Sequence, residues 1–250
     1  MSINLSKMQK KNQNEIYSPE YVKSLFNSMS KTYDITNTIS SFGFARRWRR
    51  QCVQLLLVRE GLDQGCDLMS GMGELWPFLG KVLPSLKKLV AIDLSDAMTS
   101  RARIAGARQP FDVEMREIDI LAEKLPGGEA DFIVCSYGLK TFNKEQLAKL
   151  GQVVQHLLKP GGVFSFVEIS KPSAFILRLL YMFYLQRLIP IIGWLFKGNS
   201  NDYRMLGIYC EKFGNCRDFQ STLEGQGLKT TYHRLFFGCA SAVTGFKPEK

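Results

Sequence analysis

Short apolar runs alternate with amphipathic stretches along most of this chain, and the alternation predicts strands and helices in turn. The predicted strands are residues 64–69, 88–93, 112–118, 130–137, 162–169, 228–237 and 240–247. The predicted helices between them are residues 73–82, 96–107, 143–158 and 217–225. In the third of these helices, Leu147, Leu150 and Val154 recur close to every 3.6 residues. That helix should therefore lie along a sheet.

Helical patterning continues before the first predicted strand. The segment ARRWRRQCVQLLLVRE, residues 45–60, places Trp48, Cys52 and Leu55 on one face at helical spacing. Its arginines suggest a nucleic-acid patch as one alternative. The arginines also fit the solvated face of an amphipathic helix whose buried side carries Trp48. We prefer this second interpretation and expect no nucleic acid to bind.

Strands that alternate with helices of this length indicate right-handed crossovers and a mostly parallel sheet. Only Gly238 and Cys239 separate the last two predicted strands, which is too short for a helical crossover. These strands should therefore pair antiparallel. The sequence predicts an α/β fold: a Rossmann-like seven-stranded sheet, mostly parallel with a C-terminal antiparallel hairpin, with helices on both faces and an N-terminal helical cap.

The stretch CDLMSGMGELW, residues 66–76, places two glycines at the turn from the first strand into the following helix. Because Gly71 and Gly73 carry no side chains, backbone N–H groups can approach a ligand there. Asp93 ends the next strand 20 residues after Gly73, at the place where a carboxylate accepts both ribose hydroxyls of a nucleoside. Asp119, at the end of the third strand, would lie beside the base. In such sheets, ligands bind beyond the carboxyl ends of the strands.

The dinucleotide fingerprint G-x-G-x-x-G is incomplete at this turn. With Gly71 and Gly73 as its first two glycines, the fingerprint would have its third glycine where Trp76 stands, and in the register that starts two residues earlier its first glycine is Met69. A bulky Trp76 argues against the close approach of a diphosphate. A nucleoside without phosphates, held by its amino-acid end at the turn and by its ribose at Asp93, fits better, and S-adenosylmethionine (SAM) is such a ligand. The alternative is that the glycines only shape the turn.

Composition and charge narrow the class of protein. The chain has 250 residues, of which 45% are hydrophobic and 22% charged, as is typical of an ordered globular protein. Six scattered cysteines and two histidines encode neither a zinc site nor a disulfide framework, so we expect no metal and a reducing cytoplasm. Residues 1–15 lack the apolar run of a secretory signal. The net charge of +10 suits nucleic acid, anionic lipid or simple solubility.

Several segments between about residues 26 and 247 carry a family resemblance. They are FNSMSKTYDITNTISSFGFARRWRR, DLMSGMGEL, IDLSDAM, SYGLKTF, LLKPGGVFSFVEISKP, YMFYLQRLIPIIG, DYRMLGIY and FFGCASAVTGFK. With them the chain resembles the ubiquinone/menaquinone C-methyltransferases, a family of class I SAM-dependent methyltransferases. On this resemblance we expect an N-terminal cap, residues 1–60, that belongs to the same domain as a SAM-binding region, residues 61–250. A substrate lid would be inserted at about residues 172–215.

The resemblance implies cofactor contacts from the glycine turn, the strand ends and the cap. The predicted SAM-binding residues are Tyr33, Asp67, Gly71, Met72, Gly73, Asp93, Leu94, Asp119, Ile120 and Ser136. Tyr33, together with Asp34, would come from the cap over the cofactor. Met72 replaces the family's threonine, which removes a hydroxyl but keeps the backbone contact.

Methylation of an aromatic ring carbon requires that a hydroxyl proton be removed or delocalised and that the carbon-bound proton leave afterwards. The family's arginine–asparagine pair in GLRN is thought to arrange this, and here that place reads GLKT, with Lys140 and Thr141. Lysine is a point charge without the planar fork of arginine. Lys140 would stabilise a phenolate-like oxygen or act as a base, or else lie solvated at a loop mouth. Tyr203 and His233 are further candidate catalytic residues, with plain packing as the alternative. Glu168, at the end of the fifth strand, would touch substrate or satisfy the loop.

Residues 174–196 form the most apolar stretch, at the place where the family builds its substrate lid. Arg178, Arg187 and Pro190 interrupt it, so we do not expect it to span a membrane. It would line an apolar tunnel, lie on a membrane surface with its basic side chains near headgroups, or form an ordinary core helix pair. Met182 replaces an acid of the family, which makes the pocket more apolar.

The sequence therefore predicts a cytoplasmic SAM-dependent methyltransferase that acts on a small hydrophobic aromatic substrate, quinone-like or from secondary metabolism, at carbon. Peripheral membrane contact and a homodimer are further expectations. Methylation at oxygen or nitrogen and another SAM-dependent modification of a quinone remain alternatives. A non-catalytic scaffold in a biosynthetic complex is the alternative from a different class.

Overall fold

A computed structural model describes residues 15–30, 39–56, 61–195 and 200–249 of the chain. Seven strands within these residues form one sheet in the order β3-β2-β1-β4-β5-β7-β6. The strands are β1 (Gln64–Leu68), β2 (Lys88–Asp93), β3 (Asp112–Glu117), β4 (Ala130–Ser136), β5 (Leu158–Ile169), β6 (Lys229–Leu235) and β7 (Ala240–Phe246). Strands β1 to β5 pair in parallel, and β7 lies antiparallel to both β5 and β6. The predicted mixed seven-stranded sheet is confirmed.

Helices flank this sheet and extend beyond it. The α-helices in the described residues are α1 (Pro19–Met29), α2 (Phe44–Gln54), α3 (Trp76–Val82), α4 (Asp96–Gly106), α5 (Lys144–Leu157), α6 (Phe175–Phe183), α7 (Ile189–Leu195), α8 (Ser200–Phe213) and α9 (Arg217–Gly225). A π-helical turn, Tyr184–Leu188, joins α6 to α7, so that Phe175–Leu195 is one continuous helical stretch.

Local sequence signals fix where several of these helices begin. The Ser18 side chain accepts a hydrogen bond from the backbone N–H of Tyr21, and Pro19 occupies the first position of α1. Asn143 and Gln146 form a reciprocal capping box at the start of α5. Each cap satisfies backbone groups that the helix itself leaves without partners. The chain therefore turns from strand to helix at defined residues.

The sheet buries a separate apolar cluster on each face. Side chains from α2, α3 and α4, including Trp48, Leu79 and Ala102, pack on one face. Side chains from α5 and α9, including Val154 and Phe219, pack on the other. A third cluster joins α1 to the helices that follow β5, and α1 also packs against α4. Helix α1 and the helices that follow β5 therefore lie near the carboxyl ends of the parallel strands.

Three predicted boundaries are wrong by two residues or more. The first predicted helix begins at Trp76 instead of residue 73, because residues 71–75 form the turn that follows β1. The fifth strand begins at Leu158 instead of residue 162, because LKPGG pairs with β4 through a bulge between Ala130 and Phe132. The sixth strand ends at Leu235 instead of residue 237, because a short turn of 3-10 helix, Phe236–Gly238, leads into β7. That turn leaves two phenylalanines exposed at the edge of the sheet.

Candidate active site

A crevice opens where β1 and β4 lie side by side, because β2 and β5 continue the sheet in opposite directions from this pair. Its lining includes residues 69–71, 93–94, 118–121 and 136–138, which follow or end four neighbouring strands. Met69 and Tyr137 have φ angles of 52° and 67°, a conformation that non-glycine residues rarely adopt. Backbone strain of this kind concentrates at functional sites.

The glycine turn is tied to the end of β2 by backbone and side-chain hydrogen bonds. Gly71 has a φ of 59°, and its N–H donates to Oδ2 of Asp93 at 2.8 Å. The other oxygen of Asp93 accepts from the N–H of Ser95 at 2.9 Å. Burial raises the pKa of Asp93 to about 6, whereas both hydrogen bonds favour the charged carboxylate. Asp93 is therefore a positioned acceptor at the floor of the crevice.

Gly73 and Trp76 have a different role from the one that the fingerprint suggests. A Cβ at Gly73 would lie 2.4 Å from the Trp76 ring, so only glycine lets the indole pack beneath the turn. The indole is fully buried and does not line the crevice. Trp76 was expected to hinder the close approach of a diphosphate. Its ring instead lies in the core and supports the turn from beneath.

Asp67 lies on β1 under the same turn and is almost fully buried. Its Oδ2 accepts a hydrogen bond from the Trp76 indole N–H at 2.9 Å, and burial raises its pKa well above the usual range. Among the described residues, nothing donates to its Oδ1. The hydroxyl of Ser70, which does line the crevice, also lacks a partner there. Two buried polar atoms therefore remain for a ligand or water to satisfy.

The predicted cofactor residues divide into three groups. Those that line the crevice are Gly71, Asp93, Leu94, Asp119, Ile120 and Ser136. Asp67, Met72 and Gly73 do not line it but lie in the strand and turn that form its floor. Tyr33, with Asp34, lies outside the described residues.

Helix α1 and the residues just before it contribute to the crevice. Val22 and Phe26 line it, and so does Tyr17 just before the helix. The Asn27 side chain receives a hydrogen bond from Ser95 Oγ at 2.6 Å, directly beyond Asp93. The N-terminal segment therefore lies over the strand ends.

An ion pair that the sequence analysis missed borders the crevice. The Arg49 guanidinium donates to Glu74 at 2.9 Å, and both side chains are largely buried. Glu74 also accepts from the N–H of Met72 at 3.1 Å. The α2 arginines were predicted to lie on a solvated face, and this prediction is wrong for Arg49. The missed signal was that Arg49 precedes Cys52 by three residues, on the buried face of α2.

A second, apolar space, called the chamber here, adjoins the crevice. It is lined from α2 by Phe44, Ala45 and Trp48, from the strand ends by Ile169 and Cys239, and from α6 and the turn after it by Leu177, Tyr181 and Tyr184. Tyr137 lines both spaces, and its hydroxyl donates to the backbone carbonyl of Ala45 at 2.7 Å. The two spaces therefore meet at one fixed aromatic ring.

Lys140 lies in the wall of the chamber and is paired. Its Nζ donates to Glu168 at 3.0 Å and to the Tyr137 carbonyl at 2.5 Å, with 3% and 0% of the two charged side chains exposed. Burial raises the pKa of Glu168, and the Lys140 charge opposes that shift. Thr141, the next residue, lines the crevice. GLKT therefore touches both spaces, and Lys140 is not the solvated loop lysine that was one alternative.

Tyr203 and His233 are not lining residues of either space, although Tyr203 packs in one cluster with Leu185 and Leu206 of the chamber lining. Tyr203 is fully buried on α8 against Gly193, where a Cβ would meet its ring at 2.2 Å. His233 lies on the edge strand β6 and forms a hydrogen bond with Thr244 at 2.8 Å. Burial lowers the pKa of His233. Neither residue lines the crevice or the chamber.

The described residues contain no cluster of three histidine, cysteine or carboxylate side chains that could hold a metal ion. The functional groups that line the two spaces include carboxylates, hydroxyls, an amide, a thiol, a lysine, an arginine and aromatic rings.

Comparison with known proteins gives a consistent result. A model of the ubiE/COQ5 methyltransferase family matches residues 8–247. A demethylmenaquinone methyltransferase of Thermus thermophilus is 30% identical over 224 residues, which are 90% of this chain and all of the relative. A ubiquinone/menaquinone biosynthesis C-methyltransferase of Geobacter sulfurreducens is 28% identical over 91% of this chain and 89% of the relative.

Solved structures share the fold at low sequence identity. Human N-acetylserotonin methyltransferase in complex with SAM superposes with a TM-score of 0.56 at 16% identity, over 90% of this chain and 59% of that one. The N-methyltransferase NodS from Bradyrhizobium japonicum with S-adenosyl-L-homocysteine gives 0.55 at 16% identity, over 82% and 87%.

Proposed function

Because the chain belongs to the ubiE/COQ5 methyltransferase family and is a SAM-dependent methyltransferase, we propose that it methylates a ring carbon of a quinol-like substrate with an apolar tail. The observation that carries this proposal is that a crevice with charged and polar groups among its lining residues shares Tyr137 with a chamber lined almost wholly by apolar groups. Such a junction brings a polar cofactor and an oily ring together. Holding two reactants together in a fixed geometry lowers the barrier to their reaction.

The residues of the crevice suit SAM. The bound cofactor supplies an electrophilic methyl group on a positively charged sulfur. Asp93 can accept the ribose hydroxyls, and Asp119 with Ile120 can flank the adenine. Arg49 and Glu74 offer opposite charges to the carboxylate and the ammonium of the amino-acid end. The partnerless hydroxyl of Ser70 gives a further polar contact at the same end of the crevice.

Lys140 is the residue that we assign to the chemistry of the ring. Glu168 and the Tyr137 carbonyl fix its ammonium group, and one of its three N–H bonds remains to face the chamber. The ring hydroxyl releases its proton to solvent, and a fixed ammonium in an apolar wall stabilises the oxyanion that remains, which makes the ring carbon more nucleophilic. After methylation the proton on that carbon leaves to solvent and the ring oxygen regains a proton, so that one proton is released overall. Because Tyr203 and His233 line neither space, we assign no catalytic role to them.

The chamber supports an apolar substrate. Aromatic and aliphatic side chains surround its space, and the aromatic ones among the described residues are Phe42, Phe44, Trp48, Tyr137, Tyr181, Tyr184 and Phe236. Met182, which replaces an acid of the family, is buried among the helices after β5. A substrate with a long apolar tail resides in a membrane, so we propose a cytoplasmic enzyme in peripheral contact with a membrane surface. A homodimer stays a prediction.

The helical stretch Phe175–Leu195 bears on this membrane contact. It is 21 residues long, and its 18-residue apolar window has a mean hydropathy of 1.5 with 17% of that window buried, which suffices by length and composition to cross a membrane. Within it Tyr181, Tyr184 and Leu185 line the chamber. A helix with chamber-lining residues on one side and apolar residues on the other suits a lid that lies on the membrane.

The proposal is tested by incubating purified protein with methyl-labelled SAM and a short-tailed quinol, then locating the label by mass spectrometry. We expect label on a ring carbon, with S-adenosylhomocysteine as the other product. For a variant that removes the Lys140 charge, such as Lys140→Met, the matched control is Lys140→Arg, because it keeps a positive charge at the chamber wall. Label on oxygen as a methyl ether, or no transfer despite measurable SAM binding, would contradict carbon methylation.

A further inference from the structure

The mouth of the chamber is surrounded by exposed aromatic and aliphatic side chains. Phe42 is 80% exposed, Phe236 45%, Phe237 69% and Leu180 62%. Phe42, Phe236 and Leu180 also line the chamber, so this exposed surface continues into it. We call these four residues the mouth patch. Monomeric proteins rarely leave contiguous apolar surface exposed unless something binds it.

The outer side of α6 extends the mouth patch. Its exposed residues Phe175, Ile176, Leu179 and Phe183 recur at helical spacing, so they lie on one face. In α7, Ile191, Trp194 and Leu195 are exposed in the same way. An apolar helix face of this length, lying flat, suits burial in the headgroup region of a bilayer.

A groove rich in positive charge lies beside the mouth patch. Arg46, Arg47 and Arg50 of α2 line it with Lys81 of α3, and no acidic side chain does so among the described residues. The Arg47 guanidinium lies 5.7 Å from the centre of the Phe44 ring, and that ring lies 4.2 Å from the ring of Phe236. The basic groove therefore adjoins the mouth patch through a continuous run of side chains.

The order of charges in α2 is unusual for a helix. Its first turn contains no acid, although it carries Arg46 and is followed by Arg47. Positive side chains near a helix N-terminus are unfavourable because they lie near the positive end of the helix dipole. An anionic surface across the groove would remove this repulsion.

We propose that the mouth patch and the basic groove form one docking surface for an anionic membrane, in which the groove binds lipid phosphates and the patch enters the acyl boundary. This inference rests on the proposed apolar substrate and adds the lipid class that recruits the enzyme. Nucleic acid would satisfy the arginines but would leave the apolar mouth in water. A membrane covers both and brings the chamber entrance to the lipid from which the substrate comes.

The test is a vesicle flotation assay with the full chain, using phosphatidylcholine vesicles with or without phosphatidylglycerol. Each basic residue near an anionic surface contributes about fivefold, so Arg46→Gln/Arg47→Gln/Arg50→Gln should weaken binding to the anionic vesicles by about 100-fold. The matched control is Arg103→Gln/Lys124→Gln/Lys149→Gln, which removes the same charge from exposed positions elsewhere and should retain binding within about twofold. Equal losses in the two triple variants, or wild-type binding in the first, would overturn the proposal.

A second variant tests the apolar part. Phe237→Ser, outside the chamber lining, should weaken binding to both vesicle types by about tenfold. Unchanged binding would remove the patch from the docking surface.

Methyl transfer separates this inference from the proposed function. The groove variant should methylate a water-soluble short-tailed quinol at the wild-type rate but lose activity on a long-tailed quinol in anionic vesicles. If the wild type binds anionic vesicles but methylates neither quinol, the proposed function fails and the docking surface stands. If transfer from vesicles is unaffected in the groove variant, the docking surface fails and the proposed function stands.

Discussion

The crevice and the chamber are built in different ways, although they share Tyr137. In the crevice, polar groups are fixed by the sheet itself: Asp93 accepts from Gly71 and Ser95, and the N–H of Ser70 donates to the carbonyl of Ile92 at 2.9 Å. The chamber is enclosed by helices outside the sheet, and most of its lining is apolar.

The geometry of the crevice therefore depends on the sheet, whereas the geometry of the chamber depends on helices outside the sheet. Strand ends hold the cofactor groups, so their geometry depends on backbone pairing that the whole fold requires. The chamber depends on α2 and on the helices after β5, whose side chains can change without altering the sheet. The buried ion pair of Lys140 with Glu168 is an exception in this apolar wall, and it includes the residue to which we assign the chemistry of the ring.

Loss of the Asp93 carboxylate should produce the largest effect and should act on the crevice alone. Each charged hydrogen bond to a ribose hydroxyl contributes about 2 kcal/mol, and two of them contribute about 4 kcal/mol. We expect Asp93→Ala to weaken SAM binding about 1000-fold in calorimetry. Asp112→Ala, at the exposed start of β3, is a matched control that should bind SAM as the wild type does. Wild-type affinity in Asp93→Ala would place the cofactor elsewhere.

Loss of the Lys140 charge should act on the chamber alone. Removing one fixed donor to a developing oxyanion costs about 100-fold in turnover, so Lys140→Met should lower kcat by that amount and leave SAM affinity unchanged. The same change leaves Glu168 buried without its partner, which costs about 3–5 kcal/mol of folding stability.

A double variant separates these two consequences. Lys140→Met/Glu168→Gln removes both charges, so it should unfold at a higher temperature than Lys140→Met but remain equally slow. Recovery of turnover together with stability would show that Lys140 serves only the fold.

A change of pH should also affect the crevice and not the chamber, with a smaller effect on SAM affinity than the substitutions above. The folded protein holds the Asp93 carboxyl at a pKa of about 6, above the ordinary 3.8, so this group takes up a proton as the pH falls through 6. Because the ribose hydroxyls need the carboxylate as acceptor, SAM affinity should fall below pH 6, by up to about tenfold per pH unit. Calorimetry between pH 7.5 and about pH 5 measures this, and the apolar chamber should show no matching loss of affinity for an uncharged quinone. A flat SAM profile would contradict the role of Asp93.

The crevice could be predicted from sequence because its signals are local. Gly71 and Asp93 follow short apolar strands, and the parallel sheet brings consecutive strand ends together. Tertiary packing decided what sequence spacing could not. Gly73 is a glycine because of the Trp76 ring, and that contact depends on how the indole turns into the core.

The chamber was foreseen only as an apolar lid. Lys140 and Glu168 are 28 residues apart, and only the pairing of β4 with β5 brings them together. Arg49 appeared to be one more solvated arginine because charge spacing alone does not distinguish the buried side of α2. No pattern in the sequence placed α2 and α6 on opposite walls of one space.

The most direct test of the two-space account is to fill the chamber without touching the crevice. Ala45 lines only the chamber, so Ala45→Trp should obstruct the substrate, with Ala45→Ser as the control that keeps the space open. SAM affinity and methyl transfer to a quinol are measured on the same samples. The account predicts SAM binding within about twofold of wild type and transfer about 100-fold slower for the tryptophan variant. Parallel loss of both, or transfer at the wild-type rate, would contradict it.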